Sequence, residues 1–242
     1  MKIPIIVSIC MLSAWALHGQ DVQFDNGFPS RIDYFMNDDS SGIDSVTGII
    51  PGAFVGLTIG SKAEKVTFRC NGKVMNQFAL QNEAATVSFS DMNGDGYNEI
   101  ILGTYPNMNA NHWFEVFTYS KQKKKFVRAG EFSSDFVVYP TAQYLLVHYE
   151  GSSYMETTYE LYKWHGDKLV QERMVVWLPG SRNPHTDYAH FEIYENPSHK
   201  PNGIKCVAHR KILVDNGSTF FNGYRRQYLT EIEKGLNKKN SK

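Results

Sequence analysis

The stretch DMNGDGYNEIILG, residues 91–103, decides the fold of this chain. Asp91, Asn93 and Asp95 place oxygen-bearing side chains on alternate positions; Gly96 follows sixth, Tyr97 seventh and Glu99 ninth. Alternate residues of a tight loop aim their side chains at one centre, and the glycine supplies the positive-φ bend that lets backbone wrap an ion. A hard cation such as Ca²⁺ takes several oxygens at roughly 2.3–2.6 Å, and the seventh residue contributes its backbone carbonyl whatever its ring does. The expected ligands are therefore Asp91, Asn93, Asp95, the Tyr97 carbonyl and Glu99, directly or through water, with Ca²⁺ as the cofactor. A helix–loop–helix site would need a bidentate Glu at position twelve, and that residue is Leu102. Ile100-Ile101-Leu102 is strand-forming sequence, so the ion is expected between strands, in a structural role.

Outward from this loop the β pattern continues. VGLTIG, KVTFRC, TVSFS, WFEVFTYS, KFVRAG, YLLVHY, TTYELYKW, VVWL and KCVAHRKILV are short runs rich in Val, Ile, Thr and aromatic residues. Asn71-Gly72 and His165-Gly166-Asp167 are hairpin signals between them. No stretch before residue 223 keeps the apolar spacing of a long helix. The expected fold class is all-β, an antiparallel sandwich or propeller-like array. Three blocks, VGLTIG to NQFAL, VSFS to KFVRAG and YLLVHY to KLVQE, resemble one another loosely, as blades would. Residues 20–50 read as a lead-in with one or two short strands, 51–222 as the β domain and 223–242 as a basic tail. In that tail Leu229, Ile232 and Leu236 keep helical spacing, which predicts a short docked helix.

Composition narrows the function. The 242 residues are 42% hydrophobic and 14% aromatic, enough for a sizeable core. Lys+Arg and Asp+Glu are 25 each, so no net field draws the chain to nucleic acid or anionic lipid. MKIPIIVSICMLSAWALHGQ reads as an export signal over 1–19: Lys2, an apolar run, then small residues. That run is shorter than the roughly 20 residues of a spanning helix. An exported protein, periplasmic or secreted, without stable membrane insertion is expected. With Cys10 in the signal, Cys70 and Cys206 remain, and an oxidising compartment favours pairing them. Such a bridge would stabilise by roughly 2–4 kcal/mol; the alternative is two separate buried thiols.

The sequence DMNGDGYNEIILG resembles the FG-GAP/VCBS-type calcium loop, Asp-x-Asn-x-Asp-Gly-x-x-Asp before an apolar strand, with Glu99 in place of the last Asp. The resemblance implies a calcium-bearing β protein. Residues 84–178 are also similar in order and spacing to exported calcium-binding immunity proteins. Those proteins inhibit lysozyme-like effectors of bacterial-killing type IV secretion systems. The similarity runs through the calcium loop, then KKKFVRAGEFS, then YEGSSYMETTYELYKWHGDKLVQE. It implies a lysozyme-like hydrolase as partner. Periplasmic inhibitors of such enzymes carry a Ser-Gly-x-x-Tyr loop whose donors meet the catalytic carboxylate pair. Gly151, Ser152, Ser153, Tyr154 and, beyond them, Tyr159 supply matching groups, and Glu150 stands where the pattern has Ser.

The rival is a glycan-binding or surface-structural module, in which Trp113, Trp164, Tyr154 or Tyr159 would stack on sugar rings. Catalysis ranks third. The sequence holds no H-E-x-x-H, G-x-S-x-G, P-loop or G-x-G-x-x-G. The histidines of HTDYAHFE, five apart, share no face of a strand. Asp38, Asp39 and Asp44 read as a solvated loop before a second ion site. A protein that works by binding is expected, with no catalytic residue.

Overall fold

The computed structural model describes residues 23–24, 32–34, 42–46, 49–50, 52–59, 65–108, 110–151, 156–179 and 187–240. Strands β1 (Gln23–Phe24), β2 (Ile32–Tyr34) and β3 (Gly42–Val46) come first. Then follow β4 (Val55–Ile59), β5 (Lys65–Cys70), β6 (Lys73–Ala79), β7 (Thr86–Ser90), β8 (Glu99–Gly103) and β9 (Trp113–Ser120). The rest are β10 (Lys125–Ser133), β11 (Asp135–Tyr139), β12 (Tyr144–Tyr149), β13 (Thr157–His165), β14 (Lys168–Trp177), β15 (Tyr188–Glu195) and β16 (Lys205–Leu213). One helix, α1 (Val214–Asn240), ends the described chain.

The strands form three sheets, each built on a meander of consecutive strands, with β2 and β1 added at one edge of the middle and third sheets. The first runs β3-β4-β5-β6, the middle β10-β9-β8-β7-β2, and the third β1-β11-β12-β13-β14-β15-β16. Every pairing is antiparallel except β1 with β11. The three loosely similar blocks of sequence fall on β4–β6, β7–β10 and β12–β14, one in each sheet, and the lead-in lends one short strand to each. The hairpin at Asn71-Gly72 has positive φ at both residues, as a tight β5–β6 turn requires.

Packing stacks these sheets and the helix in layers. Leu57, Phe68, Phe89, Ile100, Phe117 and Phe126 fill the space between the first and middle sheets. Met92, Ile101, Val116, Phe132, Leu145 and Trp164 fill that between the middle and third. Strand β8 is central and covered on both faces, so Ile100 and Leu102 point one way and Ile101 the other. That double burial is why Ile100-Ile101-Leu102 is continuously apolar instead of alternating. A bulge between Arg128 and Gly130 changes the parity of β10, turning Phe126 toward the first sheet and Phe132 toward the third. Phe126 stacks on Phe68 with ring centroids 4.4 Å apart; burying such a ring stabilises by about 1.5–3 kcal/mol.

The outer face of the third sheet is closed by α1. Phe221, Tyr228 and Ile232 are buried against Leu161, Val175, Ala189 and Phe191. The helix is 27 residues long and begins at Val214, so the expectation of a short helix after residue 223 is corrected. Its first turns, VDNGSTFF, are poor in helix formers. They are helical because Phe221 and Gly217 seat against Trp177 and the sheet.

The expected Cys70–Cys206 bridge is also corrected: both thiols are free. Cys70 ends β5 of the first sheet and packs on its core, whereas Cys206 is exposed on β16, the edge strand of the third. The layering separates them. No helix among the described residues is long and apolar enough to cross a membrane. The export signal and Asp38 and Asp39 lie outside the described residues, and Asp44 falls on β3.

Candidate calcium loop and the cleft beyond it

Residues 91–98 connect β7 to β8 and are held by their own side chains. Asp91 Oδ1 accepts the backbone N–H of Gly94 at 2.8 Å and of Asp95 at 3.1 Å, and its Oδ2 accepts that of Gly96 at 2.9 Å. Asn93 Oδ1 accepts from Asp95 N at 2.8 Å, and Asp95 Oδ1 from Tyr97 N at 2.9 Å. All three side chains therefore curl back over the loop, as the alternate spacing requires. Gly94 and Gly96 both have positive φ, +72° and +85°.

Glu99 takes a different position. It is 1% exposed and lies beneath the loop, with Oε2 accepting from Met92 N at 2.8 Å. Its Oε1 accepts from Asn93 Nδ2 at 2.8 Å and Thr118 Oγ1 at 3.0 Å. This leaves the Asn93 amide with its oxygen turned toward the loop. Burial pushes the Glu99 carboxyl up to about 8; the Asp95 and Asp91 charges add to that, and the Met92 N–H and Thr118 hydroxyl oppose it. Asp91, Asp95 and Glu99 do not bring one oxygen each within 4.8 Å of one another. Glu99 thus lies beneath the loop, apart from the side chains of Asp91, Asn93 and Asp95, which with the Tyr97 carbonyl form the candidate oxygen set for a cation.

That set fits Ca²⁺ by donor chemistry, being all oxygen and anionic. Among the described residues its ion pair is with Lys121, whose Nζ lies 3.1 Å from Asp95 Oδ2 and 4.4 Å from the centre of the Tyr97 ring. The loop also fastens two sheets. Met92 is fully buried between the middle and third sheets, and Gln143 Nε2, from the β11–β12 turn, donates to Asn93 O at 3.1 Å. A Cβ on Gly94 would stand 2.4 Å from the Pro140 carbonyl oxygen of that same turn.

At the other end of β8 and β12 the same two sheets part around a cleft of about 640 Å³. Tyr105, Trp113, Tyr149 and Tyr194 line it together with Glu156 and Glu192. Glu160 is on its inner wall, 9% exposed, accepting from Thr158, Tyr162 and Gln171. Burial raises the Glu160 carboxyl above the ordinary range against the pull of those donors. Trp113 Nε1 is buried without an acceptor among the described residues. Sequence spacing held no sign of this cleft, because its walls come from six separate strands and the connections between them.

The residues expected in a partner-binding loop divide. Ser152, Ser153 and Tyr154 lie outside the described residues. Gly151 is buried, and its N–H donates to Thr157 Oγ1 at 3.2 Å, drawing the ends of the connection together. Tyr159 belongs to the core: 8% exposed, its ring stacks on His148 at 4.5 Å and Phe221 at 4.6 Å. Trp164 is buried too, so neither ring is free to stack on a sugar. The Glu150 carbonyl accepts from Asn111 Nδ2 at 2.9 Å, which joins this connection to the β8–β9 loop. That loop exposes Tyr105 (55%) and Met108 (fully).

No family model matches the chain, and no curated protein matches it. Among solved structures, it aligns with one described as "Structure of a Xanthomonas Type IV Secretion System related protein". The TM-score is 0.40 and the identity 13%, over 73% of this chain and 97% of that one.

Proposed function

We propose that this chain is an exported, calcium-ordered β protein that works by binding a protein partner, a lysozyme-like peptidoglycan hydrolase, and inhibiting it. The observation that carries the binding role is the pair of joined connections beside the cleft. Asn111 ties the 104–112 loop, with its exposed Tyr105 and Met108, to Glu150, after which the sequence carries the hydroxyls of Ser152, Ser153 and Tyr154. Aromatic and Met side chains around adaptable polar donors are what protein interfaces enrich. The calcium loop serves this surface from a distance. It clamps the middle and third sheets at one end, which fixes the spacing of their other end.

The choice of a hydrolase follows the sequence resemblance over 84–178 and the Ser-Ser-Tyr donors at 152–154. Titrating purified protein into lysozyme-like hydrolases tests it. Stoichiometric loss of lysis, weakened by Tyr105→Ala with Met108→Ala and by Tyr154→Ala, is the expected result. Undiminished lysis with no complex on size-exclusion chromatography overturns it.

The cleft favours a second reading, a glycan ligand. Tyr and Trp faces beside carboxylates match the stacking and hydroxyl hydrogen bonding of sugars. Binding of soluble peptidoglycan fragments, abolished by Trp113→Ala while lysis is unaffected, selects this reading over the first.

A further inference from the structure

We propose that His165, Glu172 and His199 form a binding site for a divalent transition metal, with Zn²⁺ as its natural probe, separate from the calcium loop. His165 Nε2 lies 2.8 Å from Glu172 Oε1, and His199 Nδ1 lies 2.5 Å from Glu172 Oε2. The three ligand atoms fall within 4.8 Å of one another, and among the described residues this is the one group of three His, Cys, Asp or Glu that does so. Zn²⁺ binds His nitrogen and carboxylate oxygen at about 2.0–2.1 Å in a tetrahedron, which sets its ligand atoms roughly 3.3 Å apart. The observed separations reach that arrangement through small rotations of two imidazoles on the surface.

Three local devices bring these residues together. Glu172 is the extra residue of a β-bulge: β13–β14 pairing passes from Leu161–Arg173 to Tyr162–Gln171 and skips it. A bulge re-aims one side chain out of strand alternation, and here the re-aimed carboxylate is 7% exposed. His165 closes β13 at the two-residue Gly166-Asp167 turn. His199 sits in the β15–β16 turn at φ +50°, a left-handed conformation costly for a residue with a Cβ. That turn is pinned by Asn196, whose Nδ2 donates to the carbonyls of Gln171 and Lys200 and whose Oδ1 accepts from Ser198. Backbone distortion at two points converging on one buried carboxylate is the kind of cost that ligation offsets.

The donor set also selects the ion. Two imidazoles and one carboxylate suit zinc or its neighbours and not calcium, which takes oxygen. Three protein ligands leave a fourth position for water or a ligand atom. Asp167 does not fill it, since its Oδ2 accepts from Ser120 Oγ at 2.6 Å and faces Lys123.

The test is calorimetric titration of Zn²⁺ into the metal-stripped full chain, with excess Ca²⁺ present to occupy the 91–99 loop. It is paired with the absorption spectrum after Co²⁺ addition. One Zn²⁺ per chain is expected, with a visible Co²⁺ band. His165→Ala and His199→Ala should each weaken binding by at least about tenfold, the lower bound for losing even an outer partner. The double variant should lose both signals, and circular dichroism confirms its fold. Absence of saturable Zn²⁺ binding in the wild type overturns the proposal. So does binding that the double variant retains, which would assign the ion to another exposed group such as Cys206 and His209.

Discussion

The Gln143 side chain spans from the third sheet to the carbonyl of Asn93, donating at 3.1 Å, while Asn93 donates from its own amide to Glu99 in the middle sheet. One residue of the loop is thus hydrogen-bonded to two sheets at once. The loop and the β11–β12 turn form a single joint, and whatever orders the loop orders the angle between those sheets.

Glycine is needed at two loop positions for different reasons, and substitution separates them. Gly94→Ala meets both a left-handed φ and the Pro140 carbonyl 2.4 Å away, so the turn must move. Gly96→Ala meets the same kind of φ with no atom within 4 Å. The backbone penalty alone is about 1 kcal/mol, and overpacking adds roughly 1–3. Urea denaturation should therefore show Gly94→Ala as the more destabilised variant, and equal midpoints would mean that the joint is not close-packed.

If the loop takes a cation as proposed, Lys121 competes with it. Its ammonium lies 3.1 Å from Asp95 Oδ2, and both side chains are substantially exposed. Exposed pairs of this kind are worth about 0.2–1 kcal/mol. Removing the charge with Lys121→Met should tighten Ca²⁺ binding by up to about fivefold, as read by titration calorimetry at low salt. Weaker binding in that variant would show that Lys121 supports the site.

Much of this was legible in the sequence, and the limits have physical causes. The calcium-loop reading fits inside nine residues, so spacing alone could frame it, yet only packing shows Glu99 turned beneath the loop. Tyr159 stands in the strand run TTYELYKW just beyond the expected partner-binding loop, close enough in sequence to serve it; strand parity instead places it with Leu161 on the helix-facing side of the third sheet. Ala189, Phe191 and Ile193 alternate cleanly in β15, with His190 and Glu192 on the opposite face. The His165–Glu172–His199 group depends on a bulge and a left-handed turn, and neither leaves a periodic trace.

Glu99 makes the protein sensitive to alkali. Its carboxyl titrates at about 8 in the fold against an ordinary 4.5. A raised folded-state value means the native protein holds a proton that the unfolded chain has released. The stabilisation is complete below about 4.5 and is lost as pH rises to about 8. Thermal melts in chelator should show Tm falling across that interval, and Glu99→Gln should flatten the decline. Saturating Ca²⁺, by placing positive charge beside Asp91 and Asp95, should also shrink it. A slope that neither the substitution nor the ion changes would place the titrating group elsewhere.

Helix α1 is a structural wall of the third sheet, and its buried stripe carries that role. Tyr228 and Ile232 are each 1% exposed, one turn apart, on the face that meets Leu161 and Val175. Glu233, the next residue, is exposed. Truncating a buried Ile to Ala removes apolar contact and leaves a cavity, at a cost of about 2–5 kcal/mol. Glu233→Ala should stay within about 0.5 kcal/mol of the parent. Urea unfolding of the two variants makes the comparison directly. If Ile232→Ala destabilises no more than Glu233→Ala, the helix is not docked on the sheet. Burial of Tyr159 by Phe221 would then fail as well, returning its ring to the surface as a candidate for ligand stacking.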